Sequence, residues 1–177
     1  MKIYIASSWK NQHGVEMLTR ILRLEGNEVV SWIENNYEEK HAPNLKFDFE
    51  KWVNSNESNK SFKFDTQGAM TCDLLIYYGQ AGKDAAAECG MAYAKGVPMI
   101  ALWSKGEDFG LMRKMFNAWF SSHIEILDFI KQLKYKENPF ACFGDKKPHA
   151  MDFDSKEEFQ ERLSKYENWE TENAKCS

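Results

Sequence analysis

Long apolar runs are missing from this sequence, and none approaches the roughly 20 residues a membrane-spanning helix needs. Paired cysteines are missing too. The four cysteines, Cys72, Cys89, Cys142 and Cys176, form no C-x-x-C pair and no cysteine–histidine cluster with metal-ligand spacing. They read as reduced thiols of a cytoplasmic protein, and no metal or other cofactor is expected. Basic residues are not in excess: 23 lysines and arginines face 27 aspartates and glutamates, for a net charge of −4. That leaves no electrostatic case for nucleic-acid binding as the main function. A small anionic ligand stays open, because helix N-termini and single basic side chains act locally. Repeats and low-complexity tracts are absent. The opening residues Met1 to Ile5 run straight into a strand pattern, so a signal peptide is not expected. No membrane partner is expected either.

What is present suits a globular protein. The chain has 177 residues, 43% hydrophobic and 28% charged. A domain of this size buries roughly two-thirds of the surface its unfolded chain exposes, so it needs no disulfide or metal to hold it.

The hydrophobic pattern alternates between strand and helix. Lys2 to Ala6 reads as a strand. Gln12 to Glu25 reads as a helix with Val15, Leu18, Ile21, Leu22 and Leu24 on its apolar stripe, ended by Gly26-Asn27. Glu28 to Trp32 reads as a second strand, and a β-α-β unit of this length favours a parallel pair. A short helix is expected around Leu45 to Val53, a loop over Asn54 to Lys60, and a helix over Ser61 to Cys72 with Phe62, Ala69 and Met70 on its apolar face. Asp73 to Tyr78 is nearly all apolar, as a buried central parallel strand should be. A tight loop, Gly79 to Gly82, leads to a small-residue helix over Ala85 to Lys95, with Asp84 as its N-cap. Pro98 to Trp103 reads as a strand, Leu111 to Phe116 as helical, and Asn117 to Phe120 as an edge strand. Ser122-His123-Ile124-Glu125 is a capping box that opens a helix to Leu133. These elements predict an α/β fold, a doubly wound flavodoxin- or Rossmann-like parallel sheet of four or five strands with flanking helices. Residues 1–135 are expected to form this domain. Residues 136–177 are expected to form a C-terminal extension of loop and helix, the helix over Ser155 to Tyr166.

In open α/β sheets, ligands bind beyond the carboxyl ends of the strands, where the strand order reverses. Three segments are expected to meet there. The first is Ser7-Ser8-Trp9-Lys10-Asn11, whose hydroxyls, amides and Lys10 suit an anion or a hydroxyl; it also reads as a plain strand–helix turn. The second is Gly79, Gly82, Lys83 and Asp84 followed by Glu88. A carboxylate on a helix of alanines facing a sheet is costly to bury unpaired, which makes Glu88 a nucleophile or base unless it faces solvent. The third is Asp65, on the helix entering the central strand, where on pattern alone it reads as a surface aspartate. Trp9, Trp32, Tyr37 and Trp52 suit either a base-stacking wall or loop packing.

Taken in order, K-I-Y-I-A-S-S-W-K-N (Lys2 to Asn11), F-x-F-D-x-x-x-A-M-x-C-D-L-L-I (Phe62 to Ile76) and D-A-A-A-E-C-G-M-A-Y-A-K-G-V-P-M-I (Asp84 to Ile100) resemble the nucleoside 2-deoxyribosyltransferase superfamily. That superfamily also contains deoxynucleoside and nucleotide N-glycosidases. The resemblance implies that Glu88 attacks C1′ of a 2′-deoxynucleoside and forms a glycosyl-enzyme ester, which water or a second base resolves. It implies a catalytic carboxylate at Asp65, and a loop at Ser7, Ser8, Lys10 and Asn11 that holds a 5′-phosphate or 5′-hydroxyl. It also implies a nucleoside or nucleotide as partner and a homodimer or higher homo-oligomer. Gly82, Asp84 and Cys89 depart from the family pattern, which leaves open the 5′-phosphate and the choice between transferase and hydrolase. Two other readings remain: a glycohydrolase acting on NAD-type dinucleotides, and a non-catalytic nucleotide sensor on the same fold.

Overall fold

Five short segments rich in β-branched, aliphatic and aromatic residues pair into one sheet: β1 (Lys2–Ala6), β2 (Glu28–Val30), β3 (Leu74–Tyr78), β4 (Met99–Leu102) and β5 (Ala118–Phe120). The computed structural model describes residues 1–35, 48–107 and 110–134. All four pairings are parallel, in the order β2-β1-β3-β4-β5. This is the flavodoxin-like doubly wound order, and the five-stranded sheet meets the upper of the two expected counts. Ile3, Ile5, Leu74, Ile76 and Ile100 are fully buried at its centre. The expected helix over 155–166, Tyr37, Cys142 and Cys176 lie outside the described residues, as does the extension over 136–177. Cys72 and Cys89 are buried free thiols.

Helix α1 (Gln12–Leu24) buries Val15, Leu18 and Leu22, while Leu24 turns out to solvent. It ends as the Gly-Asn pair predicts. Gly26, at φ 76°, donates to the Arg23 carbonyl, and Asn27 donates to the Leu22 carbonyl at 3.0 Å, the Schellman pattern that satisfies the last carbonyls.

Strand β2 is shorter than expected. Ser31 leaves the sheet and Trp32 enters a helical turn over 32–35, because the Trp32 indole N–H donates to the Ile5 carbonyl at 2.7 Å. The polar stretch expected as a loop also differs. Helix α2 (Phe49–Val53) is followed at once by α3 (Asn56–Thr71). Ser55 caps α3 by accepting from the Ser58 amide, and Ser58 Oγ donates back to the Val53 carbonyl at 2.9 Å. The serines and asparagines that read as loop are a cap and an exposed first turn. Phe62 is 67% exposed. Ala69 is buried as expected, and the rest of the buried stripe of α3 is Ser58, Ser61, Thr66 and Gly68, small residues that let it pack closely on its neighbours.

Helix α4 (Lys83–Ala94) buries Ala85, Cys89 and Ala92. Its N-cap is Gly82, so Asp84 stands inside the first turn rather than capping it. The segment expected to be helical, Leu111 to Phe116, is a 3₁₀ helix over Gly110–Met115. Helix α5 (His123–Lys134) opens with the expected capping box: Ser122 Oγ accepts from the Glu125 amide at 3.3 Å and Glu125 Oε2 accepts from the Ser122 amide at 2.9 Å.

Neighbouring partners in a parallel ladder face the same side. Tyr4, paired with Leu75, and Ala6, paired with Tyr77, face the layer of α3 and α4. Tyr78 faces the opposite layer, where its hydroxyl meets His123 Nε2 at 3.0 Å and lies tight against Gly14 of α1.

Candidate active site

The strand order reverses between β1 and β3, and the hollow of this fold opens just beyond them. It has a volume of about 160 Å³ and is lined by the β1 loop (Ser7, Ser8, Trp9), Trp32, Trp52, Ser61 and Asp65 of α3, and Gly82, Asp84, Ala85 and Glu88 around the start of α4. A space of that order takes one ring, with the rest of a ligand at the mouth.

Its walls follow from local sequence. Ser61 and Asp65 are one helical turn apart on α3, and Asp84 and Glu88 are one turn apart on α4, so each pair presents on one face. The two helices pack against one another on small residues and bring the two rows together. On the other side, Trp9 meets Trp32 edge to face with ring centroids 5.0 Å apart. Trp32 is fixed by its bond to Ile5.

Burial in this hollow is the main reason why the Glu88 carboxyl is pushed up to about 8; the negative field of Asp65 adds to it, and Asp84 adds less. The nearby Tyr4 hydroxyl opposes these effects, although it meets no acceptor at full hydrogen-bond geometry. Tyr4 itself is held well above the usual phenol range, chiefly by burial and then by Glu88 and Asp65. Two neighbouring carboxyls that disfavour each other's charge tend to share one proton. Such a pair can donate a proton and present a carboxylate in the same place.

Of the residues singled out from sequence, Glu88, Asp65, Ser7, Ser8, Trp9, Gly82 and Asp84 line the hollow, whereas Lys10, Asn11, Gly79 and Lys83 do not. Asn11 has a different place. Its side-chain amide donates to Ser7 Oγ at 3.1 Å and to the Gln80 carbonyl at 2.9 Å, and so ties the β1 loop to the β3–α4 loop. Gly79 lies flat against the Glu107 carboxylate. That carboxylate accepts from the Tyr77 hydroxyl and, at 3.1 Å, from the Ser104 amide; Tyr77 in turn accepts from the Ala81 amide at 3.0 Å. Sequence reasoning missed Tyr4, Ser61 and Ala85. The lone polar-tipped aromatic in K-I-Y-I-A and the four-residue step from Ser61 to Asp65 were the signals available. Among the described residues, no group of three or more histidines, cysteines or carboxylates has metal-binding geometry, and no helix is long and apolar enough to cross a membrane.

Fold and hollow together define a doubly wound α/β protein with an acidic site at its topological switch point. No protein-family model matches the chain, and no curated protein does. Solved structures do match. The 2-deoxyribosyltransferase of the psychrotolerant bacterium Bacillus psychrosaccharolyticus superposes with a TM-score of 0.51 at 26% identity, over 71% of this chain and 90% of its own. A conserved protein of Enterococcus faecalis V583 superposes with a TM-score of 0.50 at 22% identity, over 75% and 98%. The CMP N-glycosidase BcmB of Clostridium botulinum superposes with a TM-score of 0.49 at 17% identity, over 74% and 99%. The chain has the fold of the nucleoside 2-deoxyribosyltransferase-like superfamily.

Proposed function

We propose that this protein breaks or transfers the N-glycosidic bond of a 2′-deoxynucleoside or its 5′-monophosphate, with Glu88 as nucleophile and Asp65 as its partner. The observation that carries the reading is the Glu88 carboxyl, set in a ring-sized hollow beside Asp65 and raised to about 8. The fold shared with a 2-deoxyribosyltransferase supports it.

The chemistry follows from the charge that develops. Departure of the base leaves an oxocarbenium-like sugar, and a carboxylate facing C1′ stabilises that charge and then bonds to it. The departing base needs a proton, which the carboxyl pair holds near neutral pH. The C1′–N bond breaks, the base takes the proton, and C1′ becomes esterified to Glu88. Water then cleaves the ester and returns one proton to the pair, or an acceptor base bonds to C1′ through a ring nitrogen, releases Glu88 and gives its N–H proton to the pair. Ser7, Ser8 and the tryptophan wall orient the substrate.

The test is incubation with a panel of deoxynucleosides and their monophosphates, with and without a free acceptor base, read by chromatography. Base release or exchange that disappears in Glu88→Gln is the expected result. No release and no exchange across the panel overturns the activity, and turnover that survives Glu88→Gln overturns the nucleophile.

A further inference from the structure

We propose that the hollow selects by charge, taking a 2′-deoxynucleoside with a free 5′-hydroxyl in preference to the same nucleoside as its 5′-monophosphate. This deepens the proposed function and rests on it. Among the described residues, three of those lining the hollow are acidic, Asp65, Asp84 and Glu88, and none is basic. The hollow is no wider than a Debye length at ordinary ionic strength, about 8–10 Å. Wherever a 5′-phosphate came to rest in it, the phosphate would lie within reach of the charge of Asp84 and of the Asp65–Glu88 pair, which keeps one proton near neutral pH.

Several donors of the β1 loop that could answer a phosphate are engaged within the protein. Ser7 Oγ donates its one proton to the Tyr78 carbonyl at 2.7 Å and accepts from Asn11. The Lys10 amide donates to Ser8 Oγ at 3.2 Å, and the Asn11 amide donates to the Ser8 carbonyl at 2.9 Å. The Asn11 side chain is spent on Ser7 and Gln80. These four donors of the loop are thus turned inward. At the other wall, the positive end of α4 has a carboxylate in its first turn, Asp84, which answers the helix dipole before a ligand can. Lys10 of the β1 loop and Lys83 at the first position of α4 do not line the hollow. A 5′-hydroxyl, by contrast, is neutral and can donate to a carboxylate or to a serine oxygen.

The experiment compares kcat/KM for one deoxynucleoside and its 5′-monophosphate at about 0.05 M and at about 1 M salt, in the parent and in Asp84→Asn. Binding of both ligands to Glu88→Gln is measured alongside, so that a decision does not depend on turnover. The expected result is at least a tenfold preference for the nucleoside at low salt. High salt should shrink it, because the Debye length falls to about 3 Å. Asp84→Asn should narrow it at least threefold, each ratio being taken within one variant. Equal use of the two ligands, or a preference for the monophosphate, overturns this inference and leaves the glycosidic reading standing. A preference indifferent to salt and to Asp84→Asn also overturns it, since exclusion would then be steric. Failure to bind or turn over either ligand overturns the inference and the glycosidic reading together.

Discussion

The backbone of Gly68 on α3 lies flat against the ring of Tyr4 on β1, so close that a Cβ at position 68 would stand 2.7 Å from a ring carbon. Tyr4 is fully buried and its hydroxyl lies near Glu88, so the absence of one side chain on α3 sets how a strand residue meets the candidate nucleophile. Gly68→Ala would gain helix propensity but force the ring or the helix to move. The collision is expected to dominate, with a net loss of about 1–3 kcal/mol. Thermal or urea unfolding checks this, and Gly68→Ala should also lower turnover beyond its loss of folded protein. A variant as stable and as active as the parent would refute the close-approach account.

Glu88 should cost stability at neutral pH and above. Its carboxyl holds its proton to about 8 in the folded chain, whereas an unfolded glutamate ionises near 4.3. Between those values the unfolded state releases a proton that the folded state keeps, so this group's contribution to stability falls as pH rises through that window and levels off above it. Glu88→Gln removes the penalty. It is expected to stabilise the protein by about 1–3 kcal/mol at pH 8, a rise of several degrees in Tm, and by much less at pH 4. Melting curves of both proteins across pH 4–9 measure the difference, and an equal shift at both ends would rule out this linkage.

The same proton should show in the kinetics. If the carboxyl pair supplies the proton that the leaving base takes, kcat/KM should fall as pH passes about 8. Tyr4→Phe removes the hydroxyl that holds the Glu88 pKa down, so the alkaline limb should move to higher pH. A rate that climbs through pH 8 would mean that ionised Glu88 alone is limiting, with the proton coming from elsewhere.

Asn11 joins two loops through its side-chain amide, and Ala at this position leaves the Gln80 carbonyl and Ser7 without that donor. Asn11→Ala is expected to lose about 1–2 kcal/mol of stability and to raise KM several-fold with a smaller effect on kcat, because the walls of the hollow lose their registration. Unchanged KM would place the clamp outside function.

The sheet and Glu88 are legible in the sequence for different reasons, whereas Asp65 carries no local signal and enters only through the family resemblance. The central strands β1 and β3 are apolar almost throughout, and each is bounded by a change of period, so their limits come out within a residue. The Ser122–Glu125 box and the Gly26-Asn27 ending are local hydrogen-bond devices, visible wherever the right residues stand at the right spacing. Glu88 stood out because a carboxylate amid alanines is expensive to bury. The misreadings share another cause. Ser31-Trp32 leave the sheet for a single long-range bond from Trp32 to Ile5, and no local rule contains such a bond. Asn54 to Lys60 has loop composition, yet Ser55 and Ser58 use their hydroxyls to begin a helix. Phe62 reads as buried because it is large and apolar. The actual contact face of α3 needs small residues, and size told against it. Tyr4 gives little signal in the sequence, because its ring packs like any core residue while its hydroxyl alone reaches the site.

Tyr77 and Tyr78 end the central strand and point to opposite sides of it, one held by Glu107 and the other by His123. The Tyr78 carbonyl is in turn held by Ser7. Consecutive residues of one strand therefore tie the start of α5 on one side, and the loops after β3 and β4 on the other, to the same spot, as a through-bolt clamps two plates. A disturbance at the start of α5 has only a few bonds to travel before it reaches the rim of the hollow on the far side, without passing round the edge of the sheet.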